Sequence, residues 1–434
     1  MPGYDVAVVW DYRDMSAPWV ERIASYGEIV VMAWSFGVHA ASRFMDRHTG
    51  LNITARLAVN GTRFTADDSR GIPRAIFDAT LAGLSERSVT KFNMRMCGGS
   101  AAYKEFTVCA PGRDVDELRD ELAAFDTDTA PHMLWDKAFV SRGDLIIPPD
   151  NQLRAWADDA VQTITIDGPH LPDFNGLLRR SLTDKSHVEQ RFRKAQSTYD
   201  DNASEQYSSA SRLLSLTSAH TSGPAESILE IGCGTGRFTD MVLTHFIPAH
   251  ASLWDLHIAP QIETLSRNHR EVDISVRSCD AETEITGVND NSYDLVVSAS
   301  TVQWFNSLRA FLLHASRILR HGGTIALSTY GPATMREIHL ALGTESRFPS
   351  IDHIRRMLPP TLEVLELCEE MHVTRFNTPL DVLRHMSRTG VNGTSPADCS
   401  NTAAVNRLLK DYPLDKEGKA PLTYHPIYII LRKK

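Results

Sequence analysis

The chain has 434 residues, of which 42% are hydrophobic and 23% charged, and its formal net charge at pH 7 is -9. One hydrophobic core rarely organises this length, so we expect two domains. The negative charge argues against nonspecific binding to nucleic acid, and we expect neither a membrane span nor a signal peptide. Six cysteines occur without a C-x-x-C pair or a zinc-ligand spacing, which predicts no metal site and a reducing, cytoplasmic environment.

The first part of the chain alternates strand-like and helix-like patterns, which is typical of a parallel sheet in an α/β fold. The predicted strands are Val6–Trp10, Glu28–Ala33, Ala55–Val59, Ala138–Ser141 and Thr163–Ile166. The clearest helical patterns are Pro18–Ser25 and Val38–Asp46. A polar and basic stretch, Arg179–Lys185, suits a linker, so we place the two domains at residues 1–182 and 187–434.

A sharp turn centred on a serine follows the second predicted strand. The residues A-W-S-F-G at positions 33–37 are typical of the G-x-S-x-G nucleophile elbow, with alanine in place of the first glycine. The chain order serine, acid, histidine of α/β-hydrolases then predicts a catalytic trio of Ser35, Asp144 and His170. The alternatives for the acid are Asp150 and Asp173. The trio could also be unrelated residues around an ordinary strand-to-helix turn.

The second oxyanion donor of such hydrolases normally comes from a loop after an earlier strand. Only 34 residues precede Ser35, and they supply one predicted strand before that of the elbow. We therefore expect the first strands and this loop to be missing, with the Phe36 N–H as the remaining donor. Loss of one donor typically lowers the rate by about 10²–10³. Either the start of the protein lies upstream of Met1 or the hydrolase activity is impaired.

A glycine turn in the second half of the chain predicts a cofactor site. The residues E-I-G-C-G-T-G at positions 230–236 join an apolar strand-like run to an amphipathic helical pattern. The spacing G-x-G-x-G differs from the G-x-G-x-x-G fingerprint of dinucleotide folds and indicates S-adenosylmethionine (SAM) instead. The candidate cofactor-binding residues of this turn are Glu230, Gly232, Gly234 and Gly236.

Two acids that follow the next predicted strands strengthen this interpretation. Asp255 ends the predicted strand Ser252–Asp255 and could accept hydrogen bonds from both ribose hydroxyls. Asp280, followed by Ala281, comes after the predicted strand Ile274–Arg277, and its carboxylate could accept the adenine amine. Ligands of open α/β sheets bind beyond the carboxyl ends of the strands, where both acids are expected. Either acid alone could instead be a loop residue or a helix N-cap.

The remaining elements of this half predict a Rossmann-like class I methyltransferase fold with an antiparallel final strand. Its further predicted strands are Tyr293–Ser298, Thr324–Thr329, Leu362–Leu367 and Tyr424–Leu431. Its predicted helices are His187–Ser197, Ala203–Leu216, Leu380–Met386 and Thr402–Leu409. The segment Pro332–Pro359 is expected to form an inserted helical cover.

Three motifs carry a family resemblance in the second half: F-R-K-A at 192–195, T-Y-D-D-N-A at 198–203, and S-A-S-T-V-Q-W-F at 298–305. With them, residues 187–434 resemble the BioC-type malonyl-[acyl-carrier protein] O-methyltransferases of biotin synthesis. The resemblance implies that SAM, as co-substrate, methylates the free carboxylate of malonyl-acyl carrier protein. The candidates to line the acceptor pocket are Tyr199, Gln303 and Trp304. The two aromatic residues could equally be core residues.

The first half carries the pieces D-Y-R-D at 11–14, A-W-S-F-G-V at 33–38 and A-V-N-G-T at 58–62. With these pieces, residues 4–182 look like the BioG-type pimeloyl-[acyl-carrier protein] methyl ester esterases. That resemblance implies that Ser35 attacks the methyl ester, His170 shuttles the proton and Asp144 orients His170. The two halves would then act in one pathway. The C-terminal half would mask a carboxylate as its methyl ester, and the N-terminal half would later restore the acid.

Together the two resemblances predict a bifunctional enzyme whose partner is acyl carrier protein. One alternative keeps the methyltransferase and makes the N-terminal domain a non-catalytic scaffold or docking module. A second alternative is a methyltransferase for a small molecule such as a quinone precursor. A basic run could meet the acidic carrier protein, although a solvated helix face is the more common role of such a run. Its members are Arg179, Arg180, Lys185, Arg191, Arg193 and Lys194.

Overall fold

The computed structural model describes residues 4–12, 18–125, 133, 135–159, 161–221, 225–344, 346–389 and 402–434. The chain divides into two compact units, Met1–Ser181 and Leu182–Lys434. The stretch predicted as a linker, residues 179–185, contains the end of one helix at Ser181 and the start of the next at Lys185. Only residues 182–184 of this stretch lie outside a helix.

The N-terminal unit is built on four parallel strands that pair in chain order. They are β1 (Ile29–Trp34), β2 (Ile53–Val59), β3 (Lys137–Ser141) and β4 (Gln162–Ile166). Ala33 lies opposite Ala58, and Val140 lies opposite Thr165. Four predicted strands are therefore confirmed with ends that agree within two residues, and the carboxyl ends of these parallel strands meet at one edge of the sheet.

The predicted strand Val6–Trp10 is wrong. This segment forms no regular element, and the side chains of Val6 and Trp10 are 75% and 56% exposed. A strand forms when its backbone groups pair with a neighbour, and no described strand pairs with this segment. Strand β1 therefore lies at an edge of the described sheet, with β2 as its neighbour.

Helices flank this sheet, and four of those that the structure describes lie between β2 and β3 along the chain. The helices of the unit are α1 (Pro18–Ala24), α2 (Gly37–Arg47), α3 (Arg74–Ala82), α4 (Glu86–Met96), α5 (Ser100–Cys109), α6 (Val115–Phe125), α7 (Pro149–Asp158) and α8 (Phe174–Ser181). Val38 and Phe44 on α2 and Trp156 on α7 pack against Ala58 and Val140 of the sheet. This core fixes the strand ends that carry the candidate hydrolase residues.

The C-terminal unit contains a seven-stranded sheet of order β10-β13-β9-β8-β5-β6-β7. Its strands are β5 (Ser227–Ile231), β6 (His250–Asp255), β7 (Asp273–Ser278), β8 (Tyr293–Ala299), β9 (Leu319–Tyr330), β10 (Leu362–Glu369) and β13 (Pro426–Lys433). Strands β5 to β9 pair in parallel, whereas β13 pairs antiparallel with both β9 and β10. The predicted Rossmann-like order and the antiparallel final strand are confirmed.

Both faces of this sheet are buried by helices. The helices are α9 (Lys185–Asn202), α10 (Ser204–His220), α11 (Arg237–Phe246), α12 (Gln261–Asn268), α13 (Ala281–Glu284), α14 (Leu308–Ile318), α15 (Arg336–Leu342), α16 (Ile351–Met357), α17 (Pro379–Arg388) and α18 (Thr402–Asp411). Leu229 of β5 belongs to one core with Phe311 of α14, while its neighbour Ile228 belongs to another with Leu213 of α10. The predicted helical cover Pro332–Pro359 corresponds to α15 and α16.

A second, two-stranded sheet was not predicted from the sequence. Strand β11 (His372–Phe376) pairs antiparallel with β12 (Ala420–Tyr424). Ala420 and Leu422 pack with α15, α17 and α18 in a separate apolar cluster. Over the part of the chain that the structure describes, no helix is both long and apolar enough to cross a membrane.

Candidate functional sites

Ser35 occupies a sharp turn between β1 and α2. Its φ of 56° lies in the left-handed region, which is strained for a residue with a Cβ. A Cβ added to Gly61 would lie 2.2 Å from the Ser35 carbonyl oxygen, so glycine permits this close approach. The Ser35 N–H donates to the Val59 carbonyl at 3.0 Å, which ties the turn to β2. A strained serine at the carboxyl edge of the sheet is the geometry of a nucleophile elbow.

Asp144 and His170 form a buried pair at the same edge. His170 Nδ1 lies 2.8 Å from Asp144 Oδ2, and both side chains are almost fully withdrawn from solvent. Asp144 Oδ1 accepts the backbone N–H groups of Ile146 and Ile147 at 2.8 and 3.0 Å. Gln152 Nε2 donates to Oδ2 at 2.8 Å. These bonds fix the carboxylate, and hence the ring of His170, in one orientation.

The alternative acids, Asp150 and Asp173, and the other histidine near the elbow have different surroundings. Asp173 Oδ1 accepts the Gly176 N–H at 3.0 Å near the start of α8, and Asp150 lies in the first turn of α7. The histidine of the elbow helix, His39, is fully buried and its Nδ1 lies 3.0 Å from the Arg63 carbonyl. Only the pairing of Asp144 with His170 therefore matches the arrangement expected for a general base and its orienting acid.

Two residues to which the sequence assigned no role hold the backbone of His170. Trp34 Nε1 and Asn60 Nδ2 each donate to the His170 carbonyl at 2.8 Å, and the Trp34 and His170 ring centroids are 5.3 Å apart. His170 Nε2 is buried and has no hydrogen-bond partner among the described residues. The structure thus places Ser35 and His170 at one edge without joining them by a hydrogen bond, and catalytic hydrogen bonds often tighten only with substrate bound.

The glycine turn of the C-terminal unit connects β5 to α11. The backbone φ values of Gly232, Gly234 and Gly236 are 79°, 53° and 88°. Residues with a Cβ adopt such values only under strain. A Cβ on Gly232 would lie 1.9 Å from Thr301 Oγ1. At Gly234 an added Cβ would meet no atom within 4 Å, so open space lies beside the turn. The turn can therefore approach a ligand closely through its backbone.

Glu230, the penultimate residue of β5, carries a carboxyl group with unusual surroundings. Its side chain is 1% exposed, and neither carboxyl oxygen has a hydrogen-bond partner among the described residues. Burial raises the pKa of Glu230 to about 8; the Thr239 hydroxyl opposes this rise, and the nearby Asp255 carboxylate contributes to it. A buried acid without a partner is costly, and a cationic ligand group would relieve that cost.

Asp255 is the last residue of β6 and faces the glycine turn. Its Oδ2 accepts the Gly234 N–H at 2.8 Å, and its Oδ1 accepts the His257 N–H at 3.1 Å. Burial raises the pKa of Asp255 despite these bonds. A carboxylate offers about four acceptor positions, so two hydroxyl groups of a ligand could still be accommodated.

Asp280 follows β7, with the buried Ala281 next to it. It is the N-cap of the short helix α13, because its Oδ1 accepts the Glu282 N–H at 3.1 Å. Lys185 Nζ lies 2.6 and 2.5 Å from the two Asp280 carboxylate oxygens. Lys185 is therefore not part of a solvated helix face, and for this residue the expectation of a solvent-facing role is wrong.

The three candidate acceptor residues lie on α9 and on the segment after β8. Phe192 of α9 packs edge-on against Trp304, with ring centroids 5.8 Å apart, and lies 6.1 Å from the ring of Tyr199. Burial raises the pKa of Tyr199, and the neighbouring Tyr330 adds to this. Gln303 Nε2 donates to the Ser300 carbonyl at 2.6 Å.

Two polar atoms of this group are buried without a partner among the described residues: Trp304 Nε1 and Gln303 Oε1. Packing of an indole in a core does not by itself explain an unbonded N–H, because buried Trp N–H groups usually find an acceptor. Among the described residues, no group of three or more His, Cys, Asp or Glu side chains is arranged to hold a metal ion.

Comparison with known families separates the two halves of the chain. Residues 1–176 match the family described as pimeloyl-ACP methyl esterase BioG. Residues 229–327 match the family described as a methyltransferase domain.

Individual relatives match the whole chain or one part of it. A malonyl-[acyl-carrier protein] O-methyltransferase of Bacteroides fragilis is 34% identical over 447 residues, which covers 100% of this chain and 89% of the relative. An enzyme of the same name from Bacteroides thetaiotaomicron is 32% identical over 262 residues, covering 58% of this chain and 98% of its own length. The crystal structure of BioG from Haemophilus influenzae is 34% identical and covers 37% of this chain and 72% of its own, with a TM-score of 0.32.

Proposed function

Since the chain belongs to the malonyl-[acyl-carrier protein] O-methyltransferase family and carries a BioG-type N-terminal domain, we propose that it is a bifunctional enzyme. Its C-terminal unit methylates the free carboxylate of malonyl-[acyl-carrier protein] with SAM. Its N-terminal unit hydrolyses pimeloyl-[acyl-carrier protein] methyl ester. The methyl ester removes a negative charge, which lets the growing acyl chain enter apolar sites, and hydrolysis later restores the acid.

The observation that supports methyl transfer most strongly is the buried, unpartnered carboxyl group of Glu230 beside the glycine turn. SAM carries an ammonium group that would pair with this acid. Asp255 would accept the ribose hydroxyls, and Asp280 would accept the adenine amine. When bound, SAM supplies an activated methyl group on a sulfonium.

The protein's task in this transfer is alignment. The acceptor carboxylate is already ionised near pH 7, so no side chain has to remove a proton from it. Gln303 and Trp304 closely follow Thr301, which lies against Gly232 of the glycine turn, and the unbonded indole N–H can donate to a carboxylate oxygen. Tyr199 and Phe192 on α9 would close the acceptor pocket. Holding the oxygen in line with the transferring methyl group supplies most of the rate gain of such a reaction.

For ester hydrolysis, the strained turn presents Ser35 as the nucleophile. His170 would take the serine proton through Nε2 and return it to the leaving methanol, while Asp144 holds the ring through Nδ1. The N–H of Phe36, the residue after the nucleophile and directly before α2, would donate to the oxyanion. The resulting acyl-enzyme is hydrolysed by water that the same histidine activates.

One observation favours a second candidate, in which the N-terminal unit only docks the carrier protein. Among the described residues His170 Nε2 has no hydrogen-bond partner, so Ser35 is not bonded to its proposed base before substrate binds. In that case the chain would methylate malonyl-[acyl-carrier protein] and leave the ester intact.

The deciding experiment uses the full chain with both carrier-protein substrates. We expect methylation of malonyl-[acyl-carrier protein] and hydrolysis of pimeloyl-[acyl-carrier protein] methyl ester. Ser35→Ala should abolish hydrolysis and leave methylation unchanged, whereas the matched change Ser25→Ala at an exposed position should affect neither. Methylation without hydrolysis in the unaltered chain would favour the docking role, and transfer to free small acceptors alone would contradict the carrier-protein assignment.

A further inference from the structure

A lysine and two acids meet where α9 begins. Lys185 Nζ lies 2.6 and 2.5 Å from the two oxygens of Asp280 and 2.6 Å from Glu282 Oε2. The side chains of Lys185, Asp280 and Glu282 are 16%, 26% and 4% exposed. Burial works against the charge of Lys185, but the two carboxylates outweigh it and raise its pKa. The cluster is therefore a shared ion pair largely withdrawn from water.

Glu282 extends this cluster to the segment that follows the candidate acceptor residues. Its two carboxylate oxygens accept the backbone N–H groups of Asn306 and Ser307 at 2.8 and 2.9 Å. Lys185 Nζ also lies 5.7 Å from the ring centroid of Phe305, a cation–π distance. The lysine thus connects three parts of the unit: α9, the acids after β7, and the segment that leads into α14.

The bonds around Asp280 leave one defined acceptor position. Asp280 Oδ1 accepts from Lys185 and from the Glu282 N–H. Oδ2 accepts from Lys185, and no other described group donates to it. A carboxylate oxygen offers about two acceptor positions, so one remains on Oδ2. Without Lys185 only the Glu282 N–H would hold the carboxylate, and the direction of this acceptor position would be less closely fixed.

The other end of α9 is also tied to the cofactor-binding turn. Thr235 Oγ1 donates to Asp200 Oδ1 at 2.8 Å, and Arg237 Nη1 donates to the Asp200 carbonyl at 3.0 Å. Helix α9 therefore runs from the acid after β7 to the glycine turn after β5. Between these ends it carries Phe192 and Tyr199, the aromatic residues beside the candidate acceptor pocket.

We propose that Lys185 is a positioning residue for methyl transfer, which orients Asp280 Oδ2 towards the adenine amine of SAM and holds α9 over the cofactor. This inference rests on the proposed methyltransferase function. Lys185 touches neither reacting atom. It acts through Asp280 on cofactor affinity and through α9 on the acceptor pocket.

The test compares variants of the full chain by calorimetric titration with S-adenosylhomocysteine. Lys185→Met keeps the length of the side chain and removes its charge, and we expect the dissociation constant to rise about tenfold or more, as for a lost charge-assisted hydrogen bond. Lys185→Arg keeps the charge and should recover most of the affinity. The matched control, Lys194→Met, changes an exposed lysine on the same helix and should leave the affinity unaltered.

A double variant separates positioning from damage to the fold. Lys185→Met leaves the buried Glu282 without its cation, which by itself can destabilise the unit. Lys185→Met combined with Glu282→Gln removes that unpaired charge, so the melting temperature should recover while binding stays weak. Wild-type affinity in the single or the double variant would overturn the inference. Failure of the unaltered chain to bind S-adenosylhomocysteine would instead defeat the methyltransferase assignment itself.

Discussion

Replacing Glu230 by glutamine should stabilise the protein free of cofactor, and should do so more strongly as the pH rises. Burial raises the pKa of this carboxyl from 4.5 to about 8. Between these values the unfolded chain has released the proton that the folded protein retains. The folded state therefore binds more protons, and its stability falls as the pH rises through this window. Glutamine does not ionise and removes this dependence.

The magnitude follows from the two pKa values. At about 1.36 kcal/mol per pKa unit, ionisable Glu230 lowers the free energy of unfolding by roughly 1.4 kcal/mol at pH 5.5 and by roughly 5 kcal/mol above pH 8. The difference in unfolding free energy between Glu230→Gln and the unaltered chain should therefore grow by about 3 kcal/mol from pH 5.5 to pH 8.5.

Urea unfolding at both pH values measures this difference. The control is Glu226→Gln, which changes an exposed acid just before the same strand. Glu230→Gln should also bind S-adenosylhomocysteine more weakly at pH 8.5, because the ligand's ammonium loses its counter-charge. A stability difference that is independent of pH would refute the reasoning, since Glu230 would then ionise as an exposed acid does.

Gln152→Leu removes the amide that donates to Asp144 Oδ2, and we expect the kcat of ester hydrolysis to fall about tenfold with KM little changed; an unchanged kcat would show that the other bonds suffice to hold the acid. Gly61→Ala places a methyl group 2.2 Å from the Ser35 carbonyl oxygen, so hydrolysis should be lost while methyl transfer by the same preparation persists. Full esterase activity in this variant would mean that the turn adapts freely. Trp304→Phe keeps an aromatic ring and removes the unbonded N–H, and the KM for malonyl-[acyl-carrier protein] should rise about tenfold with unchanged affinity for S-adenosylhomocysteine. A kinetic profile like that of the unaltered chain would assign this tryptophan to the core.

The sequence predicted best those features that depend on local patterns. Apolar runs bounded by turn residues located β1 to β4 within two residues, because burial on both faces of a parallel sheet requires such runs. The chain order of serine, acid and histidine placed Asp144 and His170 after neighbouring strands, and the structure brings their side chains to 2.8 Å. Their catalytic roles stay predictions.

Features that depend on distant partners could not be predicted in this way. The run Val6–Trp10 suits a strand by composition, but composition does not reveal whether a neighbouring strand is available. Strands β11 and β12 are short, and two helices of the described residues lie between them along the chain. Lys185 belongs to a basic run that suggests solvent, yet its partner Asp280 lies 95 positions away. An ion pair between residues so far apart in the chain produces no recognisable pattern in the sequence around either of them.

Strand β13 lies between β9 and β10, although it is the last described strand to be translated. Its residues Ile427 to Leu431 are fully buried and complete both cores of the C-terminal unit. Until β13 has been synthesised, β10 has no described strand to pair with and β9 lacks its antiparallel neighbour, and unpaired strand edges are prone to associate with other chains. The sheet of this unit is therefore completed by the last of its described strands, and association with other chains competes with folding until β13 is in place.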